Sequence, residues 1–321
     1  SADATVENLT LRDGLAVGSS SGAGYTLQMS GGLVTNCIIT GGEPVKAATF
    51  ETAVYATGGR ITGCEITGVL ADTTANSYAY FQRTPVYLKN ATMDHCDIHG
   101  NLSSHKYLGL VTVEGANGLV EFCKIYDNSL KGFEYGYRDG AVLAMNGATV
   151  RDSGVYNNTM AYSRYTYYPA AGVSTLGGYG VTFTANNYGG AVIERCAITN
   201  NIFQLNTDQG NSYNKYMAVG VMMGYKSVLR NCLVANNANT TTMKRSSYVW
   251  PVSGGVVISP TCGAGASVVN CTIISNSVSV LAQDPNLANG WFGVGAVTNS
   301  IIKGAFLLDE EATTEFSHCC T

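Results

Sequence analysis

The stretch Val34-Thr-Asn-Cys37-Ile-Ile39 decides how this chain folds, because the same phrase returns from one end to the other. It recurs as Ile61-Thr-Gly-Cys64-Glu-Ile66, Met93-Asp-His-Cys96-Asp-Ile98 and Val120-Glu-Phe-Cys123-Lys-Ile125. Ser153 takes the cysteine slot in the next copy, Cys196, Cys232, Cys271 and Ser300 continue the series, and Val6-Glu-Asn-Leu9 opens it, which makes ten. The central positions lie 28, 27, 32, 27, 30, 43, 36, 39 and 29 residues apart, so the unit is near 27 residues and the longer ones carry insertions. Helical repeats of this length need apolar stripes of period 3.6, whereas these motifs are short, β-branched and bounded by Gly or Asn. Each unit therefore predicts one turn of a β-solenoid.

Parity locates the bends. Cys37 and Ile39 are two apart and share the inward face of one strand, while Val34, three before the cysteine, has the wrong parity, so the chain bends between them. Asn8, Asn36, Asn231, Asn270 and Asn299 stand just before the central slot, where left-handed backbone suits a tight corner. Stacked, they predict an asparagine ladder there. A second set, Asn101, Asn128, Asn158, Asn201, Asn237 and Asn276, lies five residues after the slot and marks the end of the next strand. Upstream of each motif runs a further strand signal, as in Ala53–Thr57, Val86–Leu88, Leu110–Val113, Ala141–Met145, Val221–Met223 and Val256–Ile258.

This coil plan resembles the right-handed parallel β-helix repeat proteins, the pectate-lyase-like fold, over nearly the whole chain. The resemblance implies an all-β protein: a single right-handed parallel β-helix of about ten coils, one domain over residues 1–321 or a piece of a longer chain, with loop insertions on one edge. The phrases VTNCIITGG and VTNSIIKG are most similar to repeat regions of large bacterial surface proteins. The fold hosts lyases, hydrolases, esterases, phage tailspikes and non-catalytic surface proteins, so it does not choose a function.

Composition narrows the classes. Charged residues make up 12% of the chain while Gly reaches 38 and Tyr 20, so Asn, Ser, Thr and Tyr carry the polar work, as suits a secreted or cell-surface β protein. A net charge of −4, with 18 Lys and Arg spread without runs, gives no electrostatic case for nucleic acid. No segment reaches the roughly 18 to 20 apolar residues of a membrane span. The N-terminus lacks a charged and then apolar leader, so any export signal is removed or not included.

The ladder cysteines, Cys37, Cys64, Cys96, Cys123, Cys196, Cys232 and Cys271, are expected to point into the core. Neighbouring coils lie about 4.8 Å apart, which leaves two readings: free thiols packed as small hydrophobes, or inter-coil disulfides. A metal or catalytic role is not expected, since a thiol facing a packed core has no open coordination site; no metal and no cofactor is assigned. Cys262, Cys319 and Cys320 fall outside the ladder in this reading.

All the long insertions are expected after the second asparagine set, along one edge, and that edge collects aromatics. Tyr135, Tyr137, Tyr162, Tyr165, Tyr167, Tyr168, Tyr213, Tyr216, Tyr248 and Trp250 are the candidate binding residues, with Trp291 and Phe292 beside them. Their rings either stack on sugar or a protein partner or pack the loops against the wall. Charged residues on the same edge include Glu134, Asp139, Arg164, Asp208 and Lys215, ingredients of a lyase or glycosidase without a recognisable arrangement. Asn206-Thr207-Asp208 matches one short motif of polygalacturonase-like hydrolases, whose companion segments are absent. No catalytic residue is assigned, and His95 is expected at a solvated corner. Asn-x-Ser/Thr triplets occur at Asn8, Asn90, Asn101, Asn157, Asn239 and Asn270.

Two functions follow. The first is a non-catalytic surface adhesin or structural rod that binds polysaccharide or a cell-surface protein, or stacks end to end with its own copies into fibres. The alternative is a polysaccharide lyase or glycoside hydrolase with its site on the loop edge.

Overall fold

The computed structural model describes residues 4–12, 14, 23–41, 50–69, 82–103, 109–131, 140–162, 173–174, 190–205, 217–240, 252–258, 265–278, 290–293, 295–308 and 314–321. Every strand pairing is parallel and links corresponding strands of successive coils. The chain is a parallel β-helix. Three-residue strands such as Leu33–Thr35 stack into an eleven-stranded sheet 1, and strands such as Ile38–Thr40 into a ten-stranded sheet 2. Six strands beginning at Leu102–Ser103 form sheet 3, and ten, among them Phe50–Ala56, Gln82–Lys89 and Val142–Met145, form sheet 4. The upstream strand signals fall in sheet 4. Among the described residues no helix is long and apolar enough to cross a membrane.

Register builds the core. Val34, Ile61, Met93, Val120 and Val150 stack on one another across sheet 1, and Ile39, Ile66, Ile98, Ile125 and Val155 across sheet 2. All are buried. A parallel ladder repeats one residue type in one slot, and β-branched side chains fill such stacks with little loss of rotamer freedom. Sheet 4 differs, since its outward-facing Thr112, Leu143, Met222 and Val257 are buried too. This is why Ala141–Met145 reads as a continuous apolar run rather than an alternation.

The two corners flanking sheet 2 share one design. At the first, the residue before the central slot is left-handed in all eleven coils, with φ between 48° and 61°, whether it is Asn36, Gly63, His95, Phe122, Asp152 or Arg195. The cysteine after it points inward and is hydrogen-bonded on both sides. The backbone N–H of Cys37 donates to Cys64 Sγ at 3.4 Å, that of Cys64 to Cys96 Sγ at 3.4 Å, and that of Cys196 to Cys232 Sγ at 3.4 Å. Where serine fills the slot, Cys123 N–H donates to Ser153 Oγ and Cys271 N–H to Ser300 Oγ, each at 3.1 Å. Each thiol in turn donates to the carbonyl two residues before it, as Cys37 does to Thr35 at 3.2 Å. The slot therefore selects a small side chain that both accepts and donates, which explains the exchange of Cys and Ser better than hydrophobicity does. All described cysteines are free, so the disulfide reading is not realised.

At the second corner Gly100, Asp127, Asn157, Asn200, Asn236 and Ser275 are left-handed, and the asparagine after each is buried. Asn128 Nδ2 donates to Asn158 Oδ1 at 3.0 Å and to the Ile98 carbonyl at 2.9 Å, and the Asn128 backbone N–H reaches the same Oδ1 at 3.2 Å. The pattern repeats through Asn101, Asn158, Asn201, Asn237 and Asn276. This is a continuous buried asparagine ladder, and it stands at the second corner. At the first, Asn8, Asn36, Asn231, Asn270 and Asn299 are exposed and supply left-handed backbone, with one rung between side chains, from Asn270 Nδ2 to Asn231 Oδ1 at 3.3 Å.

Three further expectations change. Cys319 belongs to the ladder: Glu315–Ser317 adds the eleventh strand of sheet 1, His318 is left-handed, and Cys319 Sγ donates to the Val297 and Ser317 carbonyls at 3.4 Å. Only 19 residues separate it from Ser300, a coil shortened below the usual unit. Insertions do not all share one edge. Most fall on the stretch that leads from sheet 2 or 3 into sheet 4, but residues 175–189, 259–264 and 309–313 join sheet 4 to sheet 1. Trp291 and Phe292 lie in a sheet 4 strand, Gly290–Phe292, where Phe292 is buried against Phe306 and Phe316.

Replacing Cys64 by Ala strands the Cys37 N–H in a dry core and is expected to cost about 1–3 kcal/mol in denaturant unfolding, whereas Cys64→Ser should cost well under half of that. Equal losses for the two would contradict the hydrogen-bonding role. Asn158→Ala removes the acceptor of two bonds and the donor of two more, and is expected to cost about 3 kcal/mol, above the loss for either cysteine variant.

Candidate functional site

The candidate binding residues Tyr135, Tyr137, Tyr165, Tyr167, Tyr168, Tyr213, Tyr216, Tyr248 and Trp250 lie outside the described residues, as do Glu134, Asp139, Arg164, Asp208 and Lys215. Tyr162 closes the described sheet 3 strand Thr159–Tyr162, which places its backbone where that edge begins. Cys262 is also outside. The seven predicted ladder cysteines are all described and all buried.

Chemistry on the described surface concentrates on the outward side of sheet 1. In-register pairing puts Asp94, Glu121, Arg151, Glu194 and Arg230 in one column. Residues directly opposite in a sheet interact strongly, and like charges there repel. Asp94 is answered from the preceding coil: Arg60 grips it through Nε at 2.6 Å and Nη2 at 3.1 Å, and Thr62 Oγ1 donates at 2.5 Å. His95 Nδ1 adds a bond at 2.8 Å. Arg151 holds Glu121 at 2.6 Å, Arg230 holds Glu194 at 2.8 Å, and Arg195 holds Asp152 through two bonds at 2.7 and 2.8 Å.

This pairing sets the protonation states. Burial by itself raises the Asp94 carboxyl, but the bonds from Arg60, Thr62 and His95 overcome it and hold the group at about 2, against an ordinary 3.8. Arg195 lowers Asp152 and Arg230 lowers Glu194 in the same way. Asp94, Asp152 and Glu194 are thus held as anions. A general acid needs a carboxyl raised toward neutrality, and these groups move the other way.

His95 sits at an exposed corner, as expected, but it is not idle: its ring stacks on Phe122 at 5.0 Å. On sheet 2 a second column stacks His99, Tyr126 and Tyr156 at 5.0 and 5.2 Å, with His99 Nε2 bonded to Glu65 at 3.0 Å. Tyr25, Tyr55 and Tyr87 form a third on sheet 4, at 4.8 and 5.3 Å. Tyr126 and Tyr55, the middle rings, have a ring against each face, and the stacks act as stabilising pairs of about 0.5–1.5 kcal/mol each. The signal for them was present in the sequence three residues after the cysteine slot, at His99, Tyr126 and Tyr156. Among the described residues no group of three or more His, Cys, Asp or Glu is arranged to hold a metal ion. Of the glycosylation triplets, Asn101 and Asn239 are buried, while Asn8, Asn90, Asn157 and Asn270 are exposed.

Asp94 gives the stripe a pH signature. A carboxyl whose folded value lies below its unfolded one adds stability above that unfolded value and loses it as pH falls. Asp94→Asn is therefore expected to lower unfolding free energy by about 1–2 kcal/mol at pH 7, discounted for the solvent-exposed Arg60 partner. The gap between the two proteins should close as pH falls from 3.8 through about 2. Urea titrations at pH 7, 4 and 2 measure it, and a gap that persists at pH 2 would refute the ionic origin.

A family model described as right handed beta helix region matches residues 1–215 of the chain. No curated protein and no solved structure matches it.

Proposed function

This chain belongs to the right-handed β-helix family, and from that premise we propose that it is a non-catalytic scaffold of an extracellular or cell-surface setting. The rod holds a variable edge in a fixed frame, and recognition of glycan or of a protein partner falls to that edge. The observation that carries this reading is the state of the charged stripe. Asp94, Asp152 and Glu194 are each held ionised by an arginine of the adjacent coil, which suits a rigid, self-neutralised wall and not acid–base chemistry. The low charge of the whole chain points the same way, because a lyase or glycosidase for acidic polysaccharide needs unpaired cations or poised carboxyls in a groove. The cysteine or serine corner and, in six coils, the asparagine corner further separate scaffold from edge, so loops vary without disturbing the core.

The deciding experiment incubates the full chain with pectin, alginate and glycosaminoglycan panels and assays unsaturated and reducing ends, while the same protein is passed over a glycan array. Retention without product release is the expected outcome. Release of either kind of end above a heat-denatured control would replace this reading with a carbohydrate-active enzyme acting through the loop edge.

A further inference from the structure

The ladder thiols fall into two unbroken runs, Cys37, Cys64, Cys96 and Cys123, then Cys196, Cys232 and Cys271, separated by Ser153. Each thiol donates to the same two kinds of carbonyl: for Cys64 those of Thr62 and Val34, for Cys96 those of Asp94 and Ile61, for Cys232 those of Arg230 and Ile193. Identical partners mean identical side-chain orientation, so successive sulfurs are related by the rise between coils, about 4.8 Å. Neighbouring coils are linked at these sulfurs through the backbone, because the Sγ of Cys64, Cys96 and Cys232 each accepts the N–H of the ladder cysteine one coil before it.

We propose that neighbouring ladder cysteines form two-coordinate sites for a soft monovalent cation of the Cu(I) or Ag(I) class, two in the first run and one in the second. A metal–thiolate bond near 2.3 Å makes a linear S–M–S unit about 4.6 Å long, which fits the coil rise. A disulfide fits less well, because it wants Cβ atoms about 3.8 Å apart, closer than stacked strands allow. The donor set is all sulfur, which selects soft ions. The lack of any cluster of three or more metal-binding side chains among the described residues leaves no four-coordinate zinc site.

The chemistry balances without redox. Two thiols lose their protons, one M⁺ enters, and the bridge carries a single negative charge; no electron is transferred. That charge is met by donors already in place, the Cys37 N–H on Cys64 Sγ, the Cys64 N–H on Cys96 Sγ and the Cys196 N–H on Cys232 Sγ. Loading therefore releases two protons per ion, and apparent affinity falls up to about 100-fold for each unit of acidification. Entry goes through local opening of the corner, since the ladder sulfurs are buried.

Ag(I) is the redox-inert probe, titrated anaerobically into the reduced full chain against a chromophoric chelator. The background is Cys262→Ser with Cys319→Ser and Cys320→Ser, which removes the thiols outside the two runs. Three ions per chain are expected, each with two sulfur neighbours in X-ray absorption and about two protons released. Cys64→Ser, Cys96→Ser and Cys232→Ser combined leave no adjacent pair and should bind none. Serine already fills the slot at Ser153 and Ser300, so the corner bond survives and circular dichroism should be unchanged. If the triple variant does not fold, Cys96→Ser alone decides, with two ions expected. No binding by the folded background protein, or three ions retained by either ladder variant, overturns the proposal.

Discussion

Turning a β-chain through a tight corner leaves one backbone N–H facing the interior where no strand carbonyl can reach it. An unsatisfied donor in such a place costs about 1–3 kcal/mol, and a solenoid pays that cost again in every coil unless a side chain answers it. Here the answer comes from the coil that follows. A cysteine or serine Oγ or Sγ caps the first corner, an asparagine Oδ1 caps the second, and each cap belongs to the next turn of the helix. Coils are thus tied to one another at the points where the ladder would otherwise be weakest.

In-register stacking then dictates the surface. Any residue in an outward slot meets the same slot one coil away, so the column must be made compatible along its length. Rings settle this by stacking, as in His99, Tyr126 and Tyr156, and charges settle it by alternation, as in Glu121, Arg151, Glu194 and Arg230. Asp94 and Glu121 are the adjacent like pair, and Arg60 and Arg151 flank them from either side. A wall neutralised in this way is stiff and chemically quiet, which leaves variation to the segments between sheets.

Where sequence reasoning failed, one residue type was serving two needs. Asparagine before the cysteine is chosen for left-handed backbone and asparagine after the second bend for its amide, and composition does not separate them. Cys319 was hidden because its coil is 19 residues long, although Phe316-Ser-His-Cys319 carries the repeated phrase. The charged stripe was out of reach for a different reason: Asp152 and Arg195 are 43 residues apart, and only register makes them partners. Phe292, grouped with the edge aromatics, turned inward because its strand pairs with Val256–Ile258.

By itself the sequence determined the coil, its strands and the inward direction of the cysteines, because period-two parity and a recurring phrase are local properties of the chain. Tertiary structure decided what each corner residue bonds to, which of two asparagine sets forms a ladder, and which charges meet. Those outcomes depend on the neighbouring coil, and the sequence distance to that neighbour varies with the insertions between them.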